Sequence, residues 1–238
     1  MAHPSGRPWI IAHRGASLRA KENTLEAFRL AFELGADAVE LDARCTADGV
    51  IVVHHNDTIP GVDQPIVAMS RAEVAQTAPW VPDLADALAV SAGWVDVEIK
   101  NDPREADWDP DHGTATAVAD HFGDADIVVT SFNPGTIELA RARGLRTGLL
   151  VGRGIDPVQA AQPAAESGHE FLLPHHSTLE GNHGKHVVEA AALAGIEIAV
   201  WTVDQPDEIR RLAGLGVDGI ATNAPDVARS TLVEHGDG

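Results

Sequence analysis

The sequence predicts an α/β protein of the (β/α)8 barrel class, with a short β-hairpin arm after the second strand. Three observations carry that prediction. Apolar, strand-like runs alternate with stretches of helical periodicity along the chain, most regularly after residue 112, and such alternation implies parallel strands joined by helices. Setting aside the arm at 50–54, eight strand segments fit into 238 residues, which implies a closed barrel rather than an open sheet. The acidic and histidine residues with chemical potential fall at or near the C-terminal ends of the first strands, where barrels of this class carry their active sites. No Gly/Ser/Pro-rich linker divides the chain, so residues 1–238 are read as a single domain.

The elements follow in order. Residues 9–13 (WIIAH) form a short apolar run ending in His13-Arg14-Gly15, where the glycine would permit close approach to a ligand. Asn23 precedes Glu26 at a capping-box spacing. Leu25, Phe28, Ala31 and Phe32 recur at helical intervals, so 24–34 is a helix closed by Gly35. Residues 37–44 (DAVELDAR) are the second strand. Alternate strand residues point to opposite faces: Glu40, Asp42 and Arg44 share one, while Val39, Leu41, Ala43 and Cys45 share the other. The apolar face should pack under helices, making Cys45 a small buried filler. Asp48-Gly49 is a hairpin turn signal, after which 50–53 folds back and delivers His54 and His55. Residues 56–81, broken by Pro60, Pro65 and Pro79, are expected as a surface loop with at most one helical turn near Ser70–Gln76. A helix at about 83–91, a strand at 94–99 (WVDVEI) and an acidic loop at 101–112 come next. Helices at 113–122, 134–143, 157–167, 183–194, 206–214 and 225–233 then alternate with strands at 126–131, 145–151, 170–174, 196–203 and 217–222.

Composition bounds the function. A net charge of −19 argues against nucleic acid and anionic membrane surfaces as partners. An anionic substrate must therefore be attracted locally, for example by a bound cation. Aromatic residues make up 4% and tyrosine is absent, so the core is expected to be Ala, Val, Leu and Ile. The single cysteine excludes an intrachain disulfide and allows a reducing compartment. The first strand begins near Trp9, leaving no room for a signal peptide, and no apolar run reaches the roughly 18 residues of a membrane span. The cytoplasm is the expected location. Oligomeric state has no signature in the sequence.

The candidate site lies between His13 and Lys100. Glu40 and Asp42 emerge side by side from an otherwise apolar strand, an arrangement that suits a hard divalent cation and is costly without one. Glu98 joins them as a third ligand, with Asp96 deeper by parity and structural. His13 and His55 flank the carboxylates as acid–base groups. Adjacent strand residues face opposite ways, so His55 rather than His54 should point inward. Arg14 and Lys100, beside the carboxylates, read as phosphate contacts. Trp201 is either core or a substrate wall. His175, His176, His183 and His186 fit no strong metal template and read as loop histidines.

These residues resemble the glycerophosphodiester phosphodiesterase family over essentially the whole chain. His13-Arg14-Gly15, Glu22-Asn23-Thr24, Gly35-Ala36-Asp37, Glu40-Leu41-Asp42, Thr46-Ala47-Asp48-Gly49, Val52-Val53-His54-His55 and Glu98-Ile99-Lys100 follow in the family's order. So do Ser131-Phe132, Trp201-Thr202-Val203 and Gly216-Val217-Asp218-Gly219. The resemblance implies a (β/α)8 barrel that cleaves a glycerophosphodiester to glycerol 3-phosphate and an alcohol. Glu40, Asp42 and Glu98 would bind the cation (Mg2+ or Ca2+, with Mn2+ a further option), His13 and His55 would be catalytic, and Arg14, Lys100 and Trp201 would contact substrate. Lys21, Asn56 and Asn223 depart from the family's proline and two aspartates. If the aspartate after the second histidine orients the imidazole, Asn56 bears on the efficiency of His55. Two rival readings are a phospholipase-like barrel acting on lysophospholipid head groups and a non-catalytic, metal-dependent binder of phosphorylated polyols.

Overall fold

A computed structural model describes residues 6–233. In order, the elements are β1 (Trp9–His13), α1 (Leu25–Glu33), β2 (Ala38–Cys45), β3 (Ile51–Val53), a 3-10 turn (Ile66–Ala68), α2 (Arg71–Thr77), α3 (Leu84–Val90) and β4 (Trp94–Ile99). They continue with α4 (Gly113–Phe122), β5 (Ile127–Ser131), α5 (Pro134–Ala142), β6 (Arg146–Val151), α6 (Pro157–Glu166) and β7 (Phe171–Pro174). A second 3-10 turn (His176–Leu179), α7 (Gly181–Ala194), β8 (Glu197–Val200), α8 (Pro206–Leu215), β9 (Gly219–Thr222) and α9 (Pro225–Val233) complete the chain. Strand β1 pairs in parallel with both β2 and β9, which closes the ring β1-β2-β4-β5-β6-β7-β8-β9 into the (β/α)8 barrel. Strand β3 lies antiparallel on the outer half of β2, with Ala43 opposite Val53 and Cys45 opposite Ile51. Among the described residues no helix is long and apolar enough to cross a membrane.

The period-2 alternation divides the strands between two apolar layers. Outward residues Val39, Leu41, Val95 and Val97 pack under the helices with Phe28, Ala31 and Leu84, and each large aliphatic or aromatic side chain buried there contributes roughly 2–3 kcal/mol. Inward residues form a separate cluster of Trp9, Ile11, Trp94, Val128, Phe171 and Leu173. The Trp94 ring stands edge-on to Trp9 at 5.8 Å and stacks on Phe171 at 5.9 Å. All three rings start their strands, so they plug the N-terminal end of the barrel. The expectation of a core of Ala, Val, Leu and Ile thus holds broadly for the helix-facing layer, Phe28 apart, and fails inside the ring, where aliphatic residues are too small to fill the base. With that end sealed, the polar inward residues gather at the opposite end.

Four local expectations change. Thr24, not Asn23, caps α1, its hydroxyl accepting from the Ala27 amide. Gly15 has φ of +80°, and a Cβ there would lie 2.7 Å from the Ala27 backbone, so the glycine clears helix α1 rather than a ligand. Residues 56–81 are not merely a surface loop: Ile59, Ile66, Met69, Val74, Ala78 and Val81 bury themselves with Val52 of β3 in a small core of their own. Helix α2 there carries a reciprocal Ser70–Glu73 capping box, so the proline breaks separate short elements instead of abolishing them. Cys45, the last residue of β2, packs against the helix-side cluster but is only partly buried.

Candidate active site

Strand register assembles the site. Across the parallel β1–β2–β4 ladder His13 lies beside Glu40, Glu40 beside Asp96, and Asp42 beside Glu98. Residues paired in register on one face project together, so all of these side chains enter the barrel's C-terminal mouth. Glu40, Asp42 and Glu98 each offer an oxygen within 4.8 Å of the others, and all three are buried. They are the one such group of potential ligands among the described residues. The Glu40 Oε1 atom is buried without a hydrogen-bond partner, while Oε2 accepts from the Arg14 amide at 2.9 Å. An unpartnered, buried oxygen on one of three clustered carboxylates fits a divalent cation.

The surrounding charges are unequally shared. Lys100 Nζ lies 2.7 Å from Asp42 Oδ1 and 2.6 Å from Glu98 Oε1. Arg14 Nε is 3.2 Å from Asp42 Oδ2, and its Nη1 is 3.1 Å from Glu22 Oε2. Burial alone would raise the Asp42 pKa, but Lys100 and Arg14 hold it well below the usual carboxylate range. Glu40 receives less compensation: burial, then the charges of Asp42 and Glu98, push its carboxyl well above the ordinary value. Burial likewise raises Asp96, to about 7, against a 2.6 Å hydrogen bond from Thr130. Asp96 is not deeper than the proposed ligands: it lies level with Glu40 in the ladder and lines the same cavity.

The two histidines have different partners. His13 Nε2 is 3.9 Å from Glu40 Oε2, and its Nδ1 is 2.7 Å from Asn223 Oδ1. The Asn223 amide has its direction set by Asp204, which accepts from Nδ2 at 2.7 Å and from the backbone amide of Asn223 at 2.7 Å. The oxygen must then face His13, so the His13 proton sits on Nδ1 and the lone pair on Nε2. Burial, followed by the Arg14 charge, lowers the His13 pKa and favours this neutral imidazole. His55 Nδ1 is 2.9 Å from Asn56 Oδ1. Each position where the sequence substitutes asparagine for aspartate therefore still contacts an imidazole.

His13, Arg14, Glu40, His55, Glu98, Lys100, Phe132 and Trp201 line a cavity of about 110 Å3 over the carboxylates; His54 does not. The Trp201 indole donates to the Leu173 carbonyl at 2.7 Å and meets Phe132 edge-on at 5.5 Å; it both packs against the inner cluster and lines the cavity. The cavity shares Glu98, Lys100 and Phe132 with a wider groove of about 690 Å3 bordered by Pro103, Glu105 and Trp108. Among the histidines read as loop residues, His175 faces Arg153 and packs edge-on against the outer side of the site at Trp201, 4.9 Å away, while His176 faces Glu208 and His183 faces Asp156.

The family model for the glycerophosphoryl diester phosphodiesterase family matches residues 13–227. The chain belongs to that family. A glycerophosphodiester phosphodiesterase of Caldanaerobacter subterraneus is 27% identical over 91% of this chain and 94% of its own. The crystal structure of a putative family member from Silicibacter pomeroyi superposes with a TM-score of 0.83 at 26% identity, covering 98% of this chain and 96% of that one. An Oleispira antarctica phosphodiesterase, solved with the product sn-glycerol-3-phosphate, shares the fold with a TM-score of 0.82 at 23% identity over 95% of this chain and 97% of that one.

Two residues of this family member's site escaped sequence reasoning as parts of it. Asn23 is buried, adopts φ of +56° and donates its amide to Asp42 Oδ2 at 2.6 Å. An asparagine is among the few residues that tolerate that backbone, which was the available signal, but its spacing to Glu26 imitated a cap. Phe132 carried a signal only as part of the Ser131-Phe132 match, which gave it no role of its own.

Proposed function

We propose that this chain hydrolyses glycerophosphodiesters to glycerol 3-phosphate and an alcohol, with Glu40, Asp42 and Glu98 holding a divalent cation, Mg2+ or Ca2+. The observation that carries the reading is the orphaned Glu40 Oε1 among three converging carboxylates, set between two oriented imidazoles in a member of this family. When bound, the cation neutralises charge developing on the phosphate. Arg14 and Lys100 add positive charge on the same side and Trp201 walls the glycerol end. The nucleophile is the substrate hydroxyl next to the esterified carbon. His13 Nε2, with its lone pair directed into the cavity, takes that proton as the oxygen attacks phosphorus. His55 delivers a proton to the departing alcohol oxygen as its bond to phosphorus breaks. Water then opens the resulting cyclic phosphate with the two histidines in exchanged roles. The lone cysteine and acidic surface agree with a cytoplasmic location.

The test is turnover of sn-glycero-3-phosphocholine, followed by phosphorus NMR, before and after dialysis against EDTA. We expect activity to vanish and to return with Mg2+, Ca2+ or Mn2+. Full turnover by metal-free protein would refute the reading. Because Ile99, Pro103 and Trp108 give the wider groove an apolar side, a lysophospholipid belongs in the same screen.

A further inference from the structure

Arg44 shares the inward face of β2 with Glu40 and Asp42, and its side chain is fully buried. It touches neither the cavity nor any of the proposed ligands. Its guanidinium instead joins two segments that no ladder connects. On one side Nε donates to the carbonyls of His54 at 3.3 Å and His55 at 3.0 Å, and Nη2 donates to the His55 carbonyl at 2.5 Å. On the other, Nη2 reaches Glu105 Oε2 at 3.0 Å and Nη1 reaches Asp107 Oδ2 at 2.5 Å. The Asp107 side chain is itself nearly buried, at 7% exposure, whereas Glu105 is 35% exposed. The two segments are stitched once more where the Ala106 amide donates to Asp57 Oδ2 at 3.0 Å.

The placement matters because the chain has left β3 by the time it reaches His55. The last pairing onto β2 is the His54 amide on the Asp42 carbonyl at 2.9 Å. Beyond it the hydrogen bonds at His55 come from Arg44, through the carbonyl, and from the exposed Asn56, through the ring. A planar guanidinium that forks onto one carbonyl fixes its direction as a single donor cannot. Burying that cation is expensive unless anionic partners compensate it, and Asp107 and Glu105 supply them from the loop bordering the wider groove.

We propose that Arg44, anchored by Asp107, is a positioning residue that holds His55 in reacting geometry. The acidic 101–112 loop, beyond forming a wall, then sets the geometry of the acid–base pair. The inference rests on the reading that His55 takes part in proton transfer. A misplacement of about 1 Å at a reacting group can cost on the order of 10²-fold in rate, so a loosened clamp should be visible in kcat with little change in KM.

The experiment is a double-mutant cycle on the whole, metal-loaded chain with sn-glycero-3-phosphocholine. Arg44→Met risks leaving buried carboxylates unpaired and failing to fold, so Asp107→Ala on the loop is the primary variant, made alone and in a His55→Ala background. We expect Asp107→Ala to lower kcat about ten-fold with KM within roughly two-fold, and to cause no further fall once His55 is absent. Asp107→Glu should restore most of the lost kcat. An ion pair that merely stabilises the fold would reduce both backgrounds by the same factor, and that result would overturn the inference while leaving the role of His55 intact. Unchanged kcat in Asp107→Ala would overturn it as well. Wild-type kcat in His55→Ala would remove the reading on which it rests.

Discussion

Replacing Asn23 tests how the loop after β1 sustains the carboxylate cluster. The residue is buried, sits at φ of +56° and donates to Asp42 Oδ2 at 2.6 Å. Two contributions can be separated. A hydrogen bond to a charged, buried acceptor is worth about 1.5–3 kcal/mol, and Asn23→Gly removes it while accepting the left-handed backbone. Asn23→Ala loses the same bond and adds about 1 kcal/mol for an L side chain in that conformation. We therefore expect Asn23→Gly to cost about 2 kcal/mol and Asn23→Ala about 3 kcal/mol. For a chain of this size each 1 kcal/mol corresponds to roughly 2–4 °C in Tm. Urea and thermal unfolding of EDTA-treated protein measure both numbers free of ligand effects. A glycine variant as stable as wild type would refute the account of the amide, and equal stabilities for glycine and alanine would refute the account of the backbone.

Other expectations concern catalysis and pH. His13→Ala and His55→Ala should each lower kcat by roughly 10²-fold or more without displacing the metal, whereas His54→Ala, outside the cavity, should change it little; the reverse pattern would show that the wrong imidazole has been assigned. A substrate lacking the glycerol 2-hydroxyl should turn over far more slowly, since a positioned internal nucleophile gains effective molarities on the order of 10⁵ M or more; comparable kcat, with no cyclic phosphate by phosphorus NMR, would leave direct attack by water. Burial, with the His176 and Arg153 charges, lowers the His175 pKa to about 4. The unfolded chain therefore binds that proton first, and stability present above about pH 6.5 is lost as pH falls toward 4. Between pH 7 and pH 5 urea unfolding should show wild type losing more stability than His175→Gln; identical losses would contradict it.

The sequence by itself determined what local periodicity encodes. Strand parity put Glu40 and Asp42 on one face and Val39 and Leu41 on the other, because side chains alternate with a period of two wherever a strand forms. Parity did not choose between His54 and His55: β3 ends at Val53, and the course of the chain beyond it brings His55, not His54, to the cavity. The alternation of strand and helix patterns led to the closed barrel, since parallel neighbours require a crossover between them. Only the tertiary structure decided which distant groups meet. His13 finds Asn223 210 residues away because β1 closes against β9, and Arg44 finds Asp107 63 residues away because a loop folds back over the barrel mouth. The cap offered by Asn23, the ligand clearance offered by Gly15 and the open loop offered by 56–81 were each plausible locally. Packing overrode them: the Ala27 backbone of helix α1 and the Asp42 carboxylate lie too far along the chain for a local pattern to read, and the small core of 56–81 forms only where that segment folds onto Val52 of β3.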